Sequence, residues 1–111
     1  MAVDIEIREI SACRVVHLKG DVDLHVAPQV REKLLEGLKG KAPLLVELSA
    51  VTYMDSSGVA CLVEAFQQAR KQGSEFGLAA VAQPVLNVLK LARLDKVFPI
   101  HATLEERLAG G

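Results

Sequence analysis

The stretch LLVELSAVTYMDSSGVACLVEAFQQARKQG, residues 44–73, decides the fold. Leu44 to Leu48 is an apolar run broken by Glu47 alone, the pattern of an interior strand. After Ser49 to Met54 comes the polar corner Asp55-Ser56-Ser57-Gly58. Val59, Leu62, Val63, Phe66 and Ala69 then recur at helical spacing, and Gly73 ends the pattern. A strand that turns a short polar corner into a long amphipathic helix belongs to an α/β sheet.

Towards the N-terminus, Val3, Ile5, Ile7 and Ile10 alternate with Asp4, Glu6 and Arg8, which predicts a half-buried strand. Cys13 to Leu18 is a second strand, closed by Lys19-Gly20, and Ser11-Ala12 between the two predicts a hairpin. Pro28 suits the first turn of a helix, where its missing N–H costs nothing. That helix turns Ala27, Val30, Leu34, Leu35 and Leu38 inward, and Gly40 is its expected stop. Towards the C-terminus, Phe76 to Val81 is a further strand and Gln83-Pro84 opens a third helix. Its stripe is Val85, Val88, Leu89 and Ala92; Leu86, Leu91 and Leu94 predict burial wider than one face. Phe98 to Ala102 forms a last short strand. Thr103 is then the N-cap of a fourth helix, with Glu106 placed for a capping box. Two strands followed by alternating helices and strands predict a single α/β domain over residues 1–111. The sheet should be mixed, parallel wherever a helix makes the crossover.

The 111 residues suffice for one packed core and not for two, and half of them are hydrophobic. With Tyr53, Phe66, Phe76 and Phe98 the only aromatics, that core must be aliphatic. Thirteen basic and 14 acidic residues leave a net charge of −1, without the basic surplus of a nucleic-acid binder. Nothing resembles a signal peptide or a membrane span, so the expected location is the cytoplasm. Cys13 and Cys61 form no CxxC pair and read as reduced, buried thiols, although a disulfide is compatible with the sequence. Cys61 follows Ser57 by one helical turn; it is core filler or a neighbour of a docking surface.

Chemistry concentrates in Tyr53-Met54-Asp55-Ser56-Ser57-Gly58-Val59. A helix start exposes unsatisfied N–H groups and the positive end of the helix dipole, which Asp55 or Ser56 can cap, while Gly58 permits close backbone approach. A serine at such a turn is also accessible to a protein kinase. Enzymatic readings find little support. A serine hydrolase needs a base, yet His17, His25 and His101 have no spacing that ties them to Ser57, and Gly-x-Ser-x-Gly is absent. The Asp-Ser/Thr-Gly element of aspartic proteases is one residue shorter than Asp55-Ser56-Ser57-Gly58, and no second copy pairs with it. No His, Cys and Asp set has metal-ligand spacing, and neither GxxxxGK[ST] nor GxGxxG occurs. The expectation is a binding module with no catalytic residues, metal or cofactor. In any phosphoryl chemistry this chain is the acceptor.

The chain resembles the STAS domain, and most closely the stand-alone anti-sigma factor antagonists of bacteria. The resemblance rests on Leu18-Lys19-Gly20-Asp21-Val22-Asp23, the Leu44–Leu48 strand, Asp55-Ser56-Ser57-Gly58 with its helix, Gly73 before the Phe76–Val81 strand, and the Leu89–Phe98 region. It implies a mixed sheet with helices chiefly on one face. It also implies that Ser57 is phosphorylated by an anti-sigma factor that is itself a serine kinase and supplies ATP and Mg²⁺. The unphosphorylated form then binds that kinase and frees the sigma factor, the phosphorylated form lets go, and a serine phosphatase resets the switch. The resemblance places Asp23 near Ser57 at a docking surface that also holds Asp55, Ser56 and Gly58. Glu47 stands where the family often has Asp, away from the acceptor. The alternative reading is a STAS subunit of a transporter-associated, stress or chemosensory complex. The oligomeric state stays open.

Overall fold

The computed structural model describes residues 3–110, so the ends of the expected 1–111 domain lie outside it. Strand β1 (Asp4–Ile10) forms an antiparallel hairpin with β2 (Cys13–Val22), joined by Ser11 and Ala12, which both take positive φ. Helix α1 (Ala27–Gly37) leads to β3 (Leu44–Met54), α2 (Ser56–Gln72) to β4 (Phe76–Ala79), and α3 (Gln83–Leu91) to β5 (Ile100–His101); α4 (Leu104–Gly110) follows. The sheet order is β1-β2-β3-β4-β5, parallel from β2 onward. The mixed, mainly parallel α/β sheet expected from the sequence is the one observed.

Alternation along the central strands sorts the core. Val16 and Leu18 of β2, with Leu44, Val46 and Leu48 of β3, join Val30 and Leu34 of α1 and Leu62 and Ala65 of α2 in the main core. Phe66, Phe76 and Phe98 meet at its edge with ring centroids 5.4–6.1 Å apart. The out-of-phase residues Cys13, Val15 and Leu45 form a small second cluster with Ile10 and with Leu104 and Leu108 of α4. Helices α1 to α3 therefore cover one face of the sheet and α4 part of the other.

Several boundaries differ from expectation. Strand β2 runs past Leu18 to Val22 and β3 past Leu48 to Met54, with register shifts between His17 and Lys19 and between Gly20 and Asp21. Since β4 pairs only with Leu44–Glu47, the second halves of β2 and β3 continue as a two-stranded ribbon. Helix α1 ends at Gly37 rather than Gly40; Gly40, with φ 84°, lies in a following 3-10 turn. Strand β4 stops before Ala80, which takes φ 51°. Gly73 does end α2, in the left-handed conformation that glycine adopts without penalty, and Ser74 N–H donates back to Ala69 O at 2.9 Å. Leu91 is 86% exposed, so α3 buries one face only, through Val85 and Leu89. No helix among the described residues is long and apolar enough to cross a membrane.

Candidate functional site

Strand β3 ends at Met54 and α2 begins at Ser56, leaving Asp55 as the whole connection. Its backbone is extended (φ −105°, ψ −172°), and its Oδ1 accepts from the N–H groups of Ser57 at 3.0 Å and Gly58 at 3.4 Å. Asp55 is thus the N-cap, relieving two donors that the first helical turn cannot satisfy itself. The same oxygen accepts the Ser57 hydroxyl at 2.5 Å. The Leu24 N–H approaches the carboxylate from the neighbouring loop. The Ser57 hydroxyl bond holds Asp55 below the usual carboxylate range; partial burial opposes it, and the Gly58, Ser57 and Leu24 N–H groups reinforce it.

The other motif residues divide by exposure. Ser56 is exposed, whereas Ser57 is half-buried with its hydroxyl turned to Asp55. Gly58 is buried, and a Cβ there would stand 2.7 Å from Met54 Cγ and 2.9 Å from Val22 Cγ1. The close approach that Gly58 allows is that of α2 to its own sheet.

Asp23 follows directly on β2, between Val22 and Leu24. Its Oδ1 accepts from His25 N–H at 3.0 Å and Val26 N–H at 3.3 Å, and its carbonyl accepts from Ala27 N–H at 2.9 Å. Its carboxylate therefore shapes the entry to α1. Val22 O accepts from Asp55 N–H at 3.2 Å, and this bond joins the Asp23 loop to the Asp55 corner. Lower in the ribbon, Thr52 Oγ1 donates to Asp21 Oδ1 at 2.6 Å.

The exposure of two residues of this corner was not read from the sequence. Leu24, beside Asp23, is 69% exposed, and Tyr53, two residues before Asp55, is 50% exposed. A single leucine in a polar loop carries little signal. Tyr53 shares the parity of buried Val51, so twofold alternation did not give its exposure.

The remaining candidates point elsewhere. Cys61 is buried, its thiol donates to Ala27 O at 3.3 Å, and burial, with Glu64 nearby, pushes its pKa up. It is core filler and does not reach the surface. His17 faces Glu47 across β2 and β3, Nδ1 to Oε1 3.4 Å, and His101 lies on β5. The partner of the Ser57 hydroxyl is a carboxylate and not an imidazole. Among the described residues no group of three His, Cys, Asp or Glu is placed to hold a metal ion.

A profile of the STAS domain matches residues 4–107. The anti-sigma-B factor antagonist of Bacillus subtilis (strain 168) is 28% identical over 105 residues, covering 95% of this chain and 96% of that protein. Among solved structures, an anti-sigma factor antagonist from Mycobacterium paratuberculosis is similar with a TM-score of 0.88 at 25% identity, over 98% of this chain and 93% of that one. The Bacillus cell fate determinant SpoIIAA in its phosphorylated form shares the fold, with a TM-score of 0.73 at 22% identity over 97% of both chains. The hairpin, the parallel β2–β5 order and the Asp55 corner thus lie within a stretch that the profile matches almost end to end, and this chain belongs to the STAS domain family.

Proposed function

We propose that this chain is an anti-sigma factor antagonist whose docking is switched by phosphorylation of Ser57. Unphosphorylated, it binds an anti-sigma factor that is also a serine kinase and so releases the sigma factor. The kinase brings ATP and Mg²⁺, transfers a phosphoryl group to Ser57 and lets go, and a serine phosphatase restores the binding form. The observation that carries this reading is the corner itself, where Ser57 lies half-buried in the first turn of α2 with its hydroxyl held by Asp55. The chain's likeness to an anti-sigma-B factor antagonist over nearly its full length supports it.

The electrostatics decide how such a switch works. Phosphorylation adds about −1.5 to −2 charge at neutral pH. In the first turn of α2 the helix dipole favours a negative charge by roughly 0.3–1 kcal/mol, so the fold tolerates the group. That a phosphorylated protein of this fold keeps the fold supports the same point. Docking is different. A partner surface that closes over Leu24, Tyr53 and Ser57 would desolvate a dianion next to ionised Asp55. Without a matching cation this costs several kcal/mol, and each ~1.4 kcal/mol is tenfold in affinity. A loss of about a hundredfold or more needs no conformational change. Asp23 and Asp55 shape the docking edge, Ser56 lies in it, and Gly58 seats the helix that presents it.

The test begins with Ser57→Ala as bait in native-cell extract, with mass spectrometry of what it retains and of the wild-type chain after incubation with that protein and ATP. An ATP-dependent serine kinase that labels Ser57, stays on Ser57→Ala and releases the phosphorylated chain is the expected result. Label on Ser56 or nowhere contradicts the proposal, and retained transporter or chemosensory subunits would support the alternative instead.

A further inference from the structure

We infer that β1 is a self-recognition edge through which two copies of this chain pair into one continuous sheet. This is independent of the functional reading above. Strand β1 stands at one end of the sheet order, so among the described residues one side of its backbone has no partner strand. Ser11 and Ala12, both at positive φ, form a two-residue hairpin loop, which makes Ile10 and Cys13 a hydrogen-bonded pair. Alternation from there turns the N–H and C=O groups of Asp4, Glu6 and Arg8 towards β2 and those of Ile5, Ile7 and Glu9 outward. The far side of β2 agrees: Arg14, out of phase with Cys13, donates its N–H to Pro43 O, just before β3, at 2.8 Å. An unpaired outward row of this kind is a template for another strand.

The charges on β1 identify the second strand as another β1. Antiparallel pairing of two copies must match outward backbone groups with outward backbone groups, which leaves few registers. Centred on Ile5, the pair sets Asp4 against Glu6; centred on Glu6, Arg8 or Glu9, it sets that residue against itself. Each of these opposes like charges across the strands, which is destabilising. Centred on Ile7, the conflict disappears: Glu6 of each copy faces Arg8 of the other, Ile7 faces Ile7, and Ile5 faces Glu9. The Arg8 and Glu6 side chains are 59% and 57% exposed and already meet at 3.1 Å within the chain, so pairing merges two ion pairs into one network. On the opposite face of β1, Ile5 and Ile7 are only partly buried at the margin of the main core, and Ile7 against Ile7 extends that core across the junction. Both β1 edges are then used, so the assembly closes as a two-fold dimer and does not grow. Its antiparallel sense puts the two Asp55 corners at opposite ends of the joint sheet.

Exchange of charge tests the edge, by sedimentation equilibrium over a concentration series with circular dichroism verifying that each variant is folded. The wild-type chain is expected to show a monomer–dimer equilibrium, with amide hydrogen exchange at Ile5, Ile7 and Glu9 slowing as concentration rises. Glu6→Arg and Arg8→Glu each place like charges across both symmetry-related contacts, and each should weaken self-association about tenfold or more. An equal mixture of the two variants should recover the dimer, because in the mixed pair each position 6 again faces an opposite charge at position 8. A wild-type chain that stays monomeric up to about 1 mM would overturn the inference. So would a dimer that both variants retain, or two variants whose mixture remains monomeric.

Discussion

One carboxylate oxygen of Asp55 holds the hydroxyl and N–H of Ser57 and the N–H of Gly58, so a single residue joins the integrity of α2 to the presentation of the proposed acceptor. Removing it should be felt in stability. Asp55→Ala is expected to cost about 0.5–2 kcal/mol in urea unfolding at neutral pH, the usual loss for an N-cap. The pH dependence has a definite sign. The folded-state pKa of Asp55 is depressed, so its contribution is complete above the ordinary carboxylate pKa and fades as pH falls through the lower, folded value. The gap between wild type and Asp55→Ala should therefore narrow in acid; a gap constant down to low pH would show that the cap does not depend on the ionised carboxylate. From sequence, Asp55 and Ser56 were equal candidates for the cap, because both residue types accept from helix N–H groups. The structure separates them through the length of β3, whose last residue is Met54. Asp23 entered as a site residue through the family resemblance alone, and the turn that occupies its carboxylate was not legible, because an Asx-type bond leaves no periodic trace.

Elements announced themselves wherever burial had a period. The α2 stripe, the buried runs of β3 and β4 and the proline-led starts of α1 and α3 all follow from spacing. The ends of β2 and β3 did not, because Gly20 takes φ 102° and the register shifts there break the twofold alternation. Those unread residues build the ribbon that leads to Ser57. Leu91 was misjudged for the opposite reason: leucine suits an exposed helix surface too, and composition alone does not say which leucines face water. Helix α2 can lie close to the sheet at its start because Gly58 has no side chain. Gly58→Ala would drive a methyl group into Met54 and Val22, and buried overpacking of this kind costs typically 1–3 kcal/mol. Urea denaturation should report that loss, with reduced affinity for the kinase partner as α2 shifts outward. An unchanged midpoint would mean that Met54 yields without resistance.

At the scale of the molecule, the sheet and its three covering helices form the body, and the β2–β3 ribbon ends in the loop that holds exposed Leu24 and in the Asp55 corner that leads to Ser57, with exposed Tyr53 next to last on β3. The sequence disclosed this body through its alternating strands and helices, while the exposure of Leu24 and Tyr53 emerged only from the coordinates. Leu24→Ser and Tyr53→Ala touch no core residue cluster, so each should leave unfolding free energy within about 0.5 kcal/mol. Each should still weaken partner binding by about tenfold or more by calorimetry, as expected for apolar anchors of an interface. Unchanged affinity in both would move the docking surface elsewhere. The central claim is that a charge placed on Ser57 abolishes docking and spares the fold. Its most direct test is one preparation of the chain phosphorylated at Ser57, divided between thermal unfolding and titration against the kinase partner beside the unmodified chain. The account predicts a melting temperature shifted by no more than a few degrees, as for a change under about 1 kcal/mol, with affinity reduced at least a hundredfold. Loss of the cooperative transition, or binding as tight as before, would contradict it.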